Sequence, residues 1–226
     1  MLDDRPTGDI PPPPTLPADR VPQGSRVRAP SISGRSVSLR LVEVADAPFI
    51  VRLRSGPRGA RLSPIGTDLR PQEEWIRAYE ERAARGEELY FVIHHRDAGD
   101  VGTLRVHDLA HDSFWWGSWI VREGAPTHTA FESMFLVYEL TFFGMDLRYA
   151  RFAVRRDNPK AEAFHRRFGA TIRGEDETRV FLELAREHYA ARRPRLAQRF
   201  AVAAEGRSPV AEQEAERLPS GGTQGP

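Results

Sequence analysis

The segment from Trp115 to Ala170 constrains the fold more than any other part of the chain. Its pattern predicts a strand, a turn that contains Gly124 and Pro126, a helix, a second strand, and a second helix opened by Asn158-Pro159. A helix that starts just after a strand and a tight turn presents free backbone N–H groups and the positive end of its dipole. Such a helix start is a ready-made phosphate site. The segment therefore predicts a ligand with a phosphate group and a long arm.

The composition limits the chemistry that is available to the chain. Of 226 residues, 40% are hydrophobic, which is enough for one good core with extensions or two small domains. A formal net charge of +1 gives no electrostatic reason to expect a nucleic-acid or membrane partner. The lack of cysteine excludes disulfides, thiolate chemistry and cysteine-based zinc sites, and no other metal site is expected. Since neither a signal pattern nor a membrane-spanning run is evident, a cytoplasmic location is expected.

Composition along the chain predicts four segments. Residues 1–33 are rich in Pro, Gly, Ser and Arg, and residues 205–226 in Ser, Gly, Glu and Pro, so both are expected to be disordered tails. Residues 34–184 are expected to form one folded domain, and residues 185–204 a basic C-terminal helix. Within the domain, helices, a run of antiparallel strands, and then alternating strands and helices predict an α+β fold with one mixed central sheet flanked by helices.

Two helix starts carry explicit sequence signals. Thr129, with Glu132 three residues later, predicts a capping box at the start of the helix that follows the turn. Glu132 is therefore interpreted as structural, because a carboxylate is also unfavourable beside a bound anion. Pro71 is expected to be the first residue of an earlier helix, which Gly86 closes.

Two stretches of the chain resemble the GNAT superfamily of acetyl-CoA-dependent N-acetyltransferases. The first, GSWIVREGAPTHTAFESMFLVYELTF (117–142), occupies the place of the central strand, pyrophosphate loop and following helix of that family. The second, RRDNPKAEAFHRRFGA (155–170), resembles the Asn-x-x-Ala end of the fold. The resemblance extends over roughly residues 37–184 and is greatest to the branch that modifies protein N-termini and amino sugars. It implies a GNAT-like fold with acetyl-CoA as the donor.

The resemblance implies a donor site on the strand Phe114–Val121 and on the loop that follows it. In the family, this strand bulges and separates from its neighbour, which frees backbone N–H groups for the acetyl oxygen and the pantetheine arm. Gly117 is compatible with such a bulge. Arg122 and Gly124 fit the loop pattern, whereas Ala125–Ala130 replaces the further glycines of the family. The expected donor-binding residues are Trp119, Ile120, Val121, Arg122, Gly124, Thr127, His128, Thr129, Ala130 and Asn158.

Three residues are candidates for proton transfer. The resemblance places His165 where many family members carry a tyrosine that protonates the leaving thiolate, and an imidazole can donate a proton near neutral pH. Asp108 and Asp112 lie with His107 and His111 in a loop beside the central strand. A carboxylate there can accept the amine proton, directly or through water, or anchor a cationic substrate. The alternatives are a solvated polar loop for the aspartates and a packing role for His165.

The acceptor is expected to bind through residues that suit a phosphate or carboxylate, as a nucleotide sugar offers, and through one aromatic ring. These candidates are Arg54, Arg61, Ser63 and Trp116. Because cysteine is absent, no acetyl-cysteine can form, and direct attack in a ternary complex is expected. A small-molecule amine or amino sugar is preferred to a protein N-terminal amine. The alternative is a non-catalytic CoA-binding or protein-binding module of the same fold, and a homodimer is left open.

Overall fold

The structure is a computed structural model that describes residues 32–59, 62 and 66–200. These residues form one sheet of eight strands: β1 (Ile32–Ser33), β2 (Val37–Leu41), β3 (Leu89–His95), β4 (Gly99–His107), β5 (Ser113–Val121), β6 (Tyr149–Arg155), β7 (Thr171–Glu175) and β8 (Arg179–Ala185). The strand order is β1-β2-β3-β4-β5-β6-β8-β7. Only β5 and β6 are parallel within this part of the chain, so the sheet is mixed.

The described residues also form six α-helices. They are α1 (Ala47–Ser55), α2 (Leu69–Ala84), α3 (Thr129–Tyr138), α4 (Pro159–Arg167), α5 (Arg186–Ala190) and α6 (Arg193–Phe200). A 3-10 turn (Val44–Asp46) leads into α1, and a π-helical turn (Glu139–Gly144) follows α3. The predicted α+β fold, a mixed central sheet flanked by helices, is confirmed. No helix in the described ranges is long and apolar enough to cross a membrane.

Two hydrophobic cores lie on opposite faces of the sheet. Successive side chains of a strand point to opposite faces, and β3 illustrates the consequence. Phe91 belongs to the larger core, with residues of α3 and of the helices that follow, whereas Tyr90 belongs to a smaller core with α1 and α2. Phe114 and Trp116 of β5 also belong to the larger core. Trp115 and Gly117 therefore lie on the other face, which α1 and α2 share.

The start of α3 differs from the prediction. The N-cap residue is His128, and Thr129 is the first helical residue, so the predicted Thr129–Glu132 capping box is wrong. Glu132 instead accepts hydrogen bonds from the backbone N–H groups of Ser36 (2.6 Å) and Val37 (3.0 Å) at the start of β2. The Glu132 carboxylate is therefore bonded to the start of β2 and not to the backbone at the start of its own helix. Glu132 is fully buried and structural, as expected, but it joins helix to sheet rather than capping the helix.

Other boundaries shift for local reasons. Helix α2 begins at Leu69, because the carboxylate of Asp68 caps it by accepting from the N–H of Arg70, so Pro71 is its third residue rather than its first. The single helix predicted for 185–204 is two helices in the described residues, α5 and α6. Pro194 lacks an N–H and is tolerated only in a first helical turn, which is where it lies in α6. Strand β7 was not predicted.

The two predicted tails fall mostly outside the described residues. Residues 1–31 and 201–226 are not among the described ones, while residues 32 and 33 form β1. Arg61 and Ser63, two of the predicted acceptor-binding residues, also lie outside the described residues.

Candidate active site

The parallel strands β5 and β6 separate after a short common stretch. They pair only from Ser113 with Tyr149 to Trp115 with Arg151. Both strands nevertheless continue, β5 to Val121 and β6 to Arg155. The backbone of the second half of β5 therefore has no ladder partner on the β6 side among the described residues. Backbone N–H and C=O groups must be hydrogen-bonded, so this edge is suited to an extended ligand.

A bulge distorts β5 on its other side, where the strand pairs with β4. Gly117 faces Arg105 and Ile120 faces Thr103, so Ser118 and Trp119 together oppose one residue of β4. The backbone of Ser118 is left-handed, with a φ of +46°. Left-handed geometry at a non-glycine residue stores strain and is frequent at functional sites. The bulge expected near Gly117 is thus present at the next residue, beside the open edge of the strand.

The loop from Arg122 to His128 joins β5 to the start of α3 and is held from behind by the β3–β4 hairpin. The N–H of Arg122 donates to the Val101 carbonyl (2.7 Å), and its guanidinium donates to the Ala98 carbonyl (3.2 Å). His128 meets buried His95 across the hairpin, with the two Nε2 atoms 3.4 Å apart. Gly124 turns the loop with a φ of +74°. Both predicted charged side chains of the loop therefore position it, and the helix start supplies amides for an anion.

The gap between β5 and β6 beyond the Trp115–Arg151 pair is called the groove below. The remaining predicted donor residues lie on the second half of β5 and at the starts of α3 and α4. Ile120 and Val121 are buried at the end of β5, and Trp119 packs partly buried against the larger core. Thr129 is fully buried, and its hydroxyl has no partner among the described residues. The side chain of Asn158 caps α4 by accepting from the N–H of Ala161 (3.4 Å). The structure thus places the predicted donor residues on the second half of β5, in the loop that follows it, and at the starts of α3 and α4.

His165 lies in an aromatic cage between α4 and the separating strands. Its ring centroid is 4.3 Å from that of Phe152, 5.4 Å from Trp116, 5.8 Å from Trp119 and 5.5 Å from Phe164. Burial lowers the pKa of His165 to about 3, because the cage desolvates the charged form. At neutral pH the ring is uncharged, so it holds no imidazolium proton to donate. The sequence-based expectation of proton donation near neutral pH does not fit this environment.

Several buried polar atoms of the cage make no well-formed hydrogen bond among the described residues. They are Trp119 Nε1 and His165 Nδ1, together with Trp116 Nε1 and the Tyr138 hydroxyl, which interact with each other without forming a well-aligned hydrogen bond. A buried polar group without a partner costs about 1–3 kcal/mol. Such groups call for an explanation, and a ligand or water is the usual one. Trp116, predicted to bind the acceptor, belongs instead to this cage on the α3/α4 face.

The two predicted aspartates lie at the closed end of the β5–β6 pair. The backbone carbonyl of Asp112 accepts from the N–H groups of Arg148 (2.7 Å) and Tyr149 (3.0 Å), which fixes where the two strands meet. Asp112 precedes Ser118 by six residues, about 20 Å along an extended strand. Asp108 is closer, since it follows His107, which pairs with Trp115. It is exposed, has a left-handed φ of +47°, and its carboxylate is 3.1 Å from His107 Nδ1.

A row of polar and aromatic residues crosses the α1/α2 face beside the bulge. Cross-strand pairing aligns His107, Trp115, Arg151 and Glu183 from four adjacent strands. Next to Trp115, a Cβ added at Gly117 would meet no atom within 4 Å, so the space above β5 just before the bulge is open, and it is called the hollow below. Sequence inspection missed this row because its members are brought together only by strand register. The one available signal was the alternation of charged and apolar residues in β6, YARFAVR.

Two carboxylates on this face are each shared by two arginines. Glu183 accepts from Arg151 (3.1 Å) and Arg173 (2.6 Å). Glu88, almost fully buried, is shared by Arg82 and Arg105. Because each carboxylate meets two guanidinium groups, each cluster retains one positive charge. The two clusters flank the hollow from β3–β4 and from β6–β8.

The connection between α1 and α2 reaches the donor strand. Arg58 donates to the Val121 carbonyl (3.0 Å) at the end of β5. Arg54, a predicted acceptor-binding residue, is half-buried at the end of α1. No group of three or more metal-ligating side chains occurs in the described ranges.

Comparisons with known proteins agree with this geometry. Residues 36–171 match the family model of the GNAT acetyltransferase domain. A solved apo structure of FdhC, a nucleotide-linked sugar GNAT, is 34% identical, with a TM-score of 0.68 over 75% of this chain and 97% of that chain. RimJ from Mycobacterium smegmatis in complex with CoA-disulfide is 20% identical, with a TM-score of 0.62 over 74% of this chain and 91% of that one.

A mutant of the spermidine/spermine N-acetyltransferase SpeG from Vibrio cholerae has the same fold. It is 17% identical, with a TM-score of 0.58 over 70% of this chain and 98% of that one. No curated protein sequence is similar enough to count as a match. The family model covers more than half of the chain, and the separated strands, the bulge and the loop before α3 lie within the matched residues. The chain therefore belongs to the GNAT family of acetyltransferases.

Proposed function

We propose that this acetyltransferase moves an acetyl group from acetyl-CoA to a primary amine of a small molecule, and that an amino sugar linked to a nucleotide is the acceptor. The observation that carries this proposal is the position of the bulge at Ser118. It separates the groove on the α3/α4 face, which begins at the loop before α3, from the hollow above Gly117 on the other face. A donor in the groove and an acceptor in the hollow would meet at the bulge.

The donor half of the site is suited to the shape of coenzyme A. The start of α3 offers backbone amides and a dipole to the pyrophosphate. The open edge of β5 offers N–H and C=O groups to an extended arm that carries amides of its own. Because the chain lacks cysteine, the acetyl group passes directly to the amine without an acetyl-cysteine.

The charges around the hollow support an anionic acceptor. The Arg151–Glu183–Arg173 and Arg82–Glu88–Arg105 clusters each retain one positive charge. A diphosphate-linked sugar is attracted to such a face, whereas a polyamine is repelled by it. The 34% identity to a nucleotide-linked sugar GNAT points to the same substrate class. The spermidine acetyltransferase shares only the fold, at 17% identity.

A proton must leave the attacking amine, and His107 with Asp108 is the pair best placed to accept it. His107 lies in the row beside the hollow, and its Nδ1 faces the Asp108 carboxylate at 3.1 Å. A carboxylate that orients an imidazole leaves the opposite nitrogen available as a base. Asp112 retains the role of a strand anchor through its backbone carbonyl.

Calorimetric titration with acetyl-CoA and CoA tests the donor site. Micromolar binding, about −8 kcal/mol, is expected, and it should weaken in Asn158→Ala, which removes the side chain that caps α4. Asp68→Ala is the matched control, since it removes the cap of α2, away from the groove. An absence of binding by both ligands would favour the non-catalytic alternative.

An acceptor screen, read by release of the CoA thiol, then tests the substrate class. The panel contains nucleotide-linked amino sugars, free amino sugars, spermidine and a peptide with a free N-terminus. The highest kcat/KM is expected for a nucleotide-linked amino sugar. A peptide preferred over every sugar would replace the proposal with N-terminal acetylation.

A further inference from the structure

Two buried rings, Trp116 and His165, and the partly buried ring of Trp119 form a triangle beside the bulge. One nitrogen of each ring makes no well-formed hydrogen bond among the described residues, although the Trp116 indole N–H is directed at the Tyr138 hydroxyl. The ring centroids of Trp116 and Trp119 are 5.5 Å apart, and those of Trp116 and His165 are 5.4 Å apart. Trp119 and His165 close the triangle at 5.8 Å. The atoms concerned are Trp116 Nε1, Trp119 Nε1 and His165 Nδ1. Trp116 and His165 are 3% and 4% exposed, so bulk water does not satisfy them.

The triangle lies where β5 and β6 separate. Trp115 and Arg151 form the last pair of the two strands, and Trp116 and Phe152 are the next residues of each. His165 reaches this point from α4, with its ring 4.3 Å from that of Phe152. Ser118, at the bulge, lies between the two tryptophans in sequence. The rings therefore lie on the α3/α4 face, directly beyond the point where the two strands separate.

The chemistry of the three rings is that of hydrogen-bond donors. An indole N–H donates and does not accept. An uncharged imidazole carries its single proton on one nitrogen and donates from there. A group with several lone pairs and a growing negative charge is the complement of this arrangement, and donors already in place stabilise such a charge without reorganising.

We propose that Trp116, Trp119 and His165 together bind the sulfur of the donor and stabilise it as it leaves as a thiolate. This inference rests on the proposed function. The amine lone pair forms the new C–N bond, the C–S bond breaks, and its electron pair stays on sulfur. The proton of the amine goes to His107 or water, and the thiolate later takes a proton from water. The cage donates hydrogen bonds throughout and transfers no proton.

The ionisation of bound CoA tests this assignment without turnover. Thiolate absorbance in the ultraviolet is followed against pH for CoA alone and for the protein–CoA complex. The bound thiol is expected to ionise at least about one pH unit lower than free CoA, which is a tenfold effect. Trp119→Phe and His165→Phe, which keep a ring but remove the nitrogen, should reduce the difference. A bound thiol that ionises like free CoA would overturn the assignment.

A matched control and a second ligand complete the test. Phe164→Leu alters the same cage without touching a nitrogen, and it should leave the shift in place. Calorimetry then compares CoA with its analogue that lacks the sulfur, and wild type should bind CoA at least several-fold more tightly at alkaline pH. Equal binding of the two ligands would reject the thiolate site while leaving the acetyltransferase proposal intact. If neither ligand binds, both proposals fail.

If a cage variant does not fold, measurements on the wild-type protein alone still test the thiolate site. The thiol titration and the comparison of the two ligands need no substitution. A lowered ionisation together with preference for the sulfur supports the assignment, and the lack of both rejects it.

Discussion

The hydroxyl of Thr103 donates a hydrogen bond of 3.3 Å to the carbonyl of Ser118, the left-handed residue at the bulge of β5. Thr103 lies on the adjacent strand and is fully buried. A left-handed residue other than glycine costs about 1–2 kcal/mol, and such geometry persists only where its surroundings enforce it. The strained element between the proposed donor groove and the proposed acceptor hollow is therefore held by the sheet itself.

Thr103→Val should impair acetyl transfer more than stability. The substitution keeps the shape of the side chain and removes two interactions of the hydroxyl, with the Ser118 carbonyl and with the Tyr90 side chain, each worth about 1 kcal/mol. We expect a roughly tenfold fall in kcat/KM, equivalent to about 1.4 kcal/mol. Thr141→Val is the control, because it removes a buried hydroxyl bond to the Val137 carbonyl (2.8 Å) away from the bulge. Identical kinetics in the two variants would contradict a role for the bulge.

Acidification should destabilise the protein through His165. Burial lowers its pKa from 6.5 to about 3, so below pH 6.5 the unfolded chain binds a proton that the folded chain does not. Stability is therefore complete above pH 6.5 and falls toward pH 3, by up to about 1.4 kcal/mol per pH unit from this residue. Urea unfolding at several pH values measures the slope. His165→Phe should show a shallower slope in this window, and equal slopes would refute the assignment.

Arg151→Gln should weaken acceptor binding and leave donor binding unchanged. Arg151 and Arg173 share Glu183, so the cluster has one positive charge in excess. The substitution removes this excess charge. We expect the KM for an anionic acceptor to rise roughly tenfold, equivalent to about 1.4 kcal/mol. Calorimetry with acetyl-CoA should be unaffected. Arg166→Gln, on the exposed surface of α4, is the charge-matched control. An unchanged acceptor KM would argue against the Arg151 cluster as the anion site.

His107→Gln should slow catalysis without affecting donor binding. A general base contributes at least about a hundredfold, so kcat is expected to fall by roughly that factor. His111→Gln, at an exposed position of the same loop, should behave like wild type. Asp108→Asn should reproduce part of the loss, because the carboxylate that faces His107 Nδ1 loses its charge. Full activity in His107→Gln would transfer the base function to another group or to water.

Glu132→Ala should destabilise the fold. It leaves the buried backbone N–H groups of Ser36 and Val37 without their acceptor, at about 1–3 kcal/mol each. A fall of roughly 3 kcal/mol in unfolding free energy is expected by urea titration. Glu132→Gln retains an acceptor oxygen and should lose less. Equal losses in both variants would mean that the charge, rather than the hydrogen bonds, holds α3 to β2.

Local signals allowed much of this fold to be predicted. Gly124 and Asn158-Pro159 determine the backbone conformation of their immediate neighbours. The turn before α3 and the start of α4 can therefore be predicted from the sequence. A local signal misleads where a residue distant in sequence binds the same side chain. The Thr129–Glu132 pair is an example, because the Glu132 carboxylate binds the start of β2. Strand β7 cannot be predicted from its sequence, TIRGE, because its residues are mostly exposed and do not alternate between apolar and polar.

For a related reason, only part of the candidate site can be predicted from the sequence. Apart from Asn158, the proposed donor residues follow one another along β5, the loop and the start of α3, so their order in sequence is their order in space. The acceptor row draws His107, Trp115, Arg151 and Glu183 from four strands, and only strand register aligns them. Trp116 was assigned to the acceptor although it faces α3 and α4, because a shift of one position along a strand reverses the face.

The Arg122 guanidinium donates to the Ala98 carbonyl in the β3–β4 hairpin, and this contact bears on how the family can evolve. In the proposed donor site, recognition depends mainly on main-chain groups, which a change of side chain does not remove. Relatives can therefore diverge widely along this loop and still use the same donor. The proposed acceptor half is made of side chains from separate strands. On this proposal, a few substitutions there can redirect the enzyme to a new amine while the inherited donor chemistry is kept.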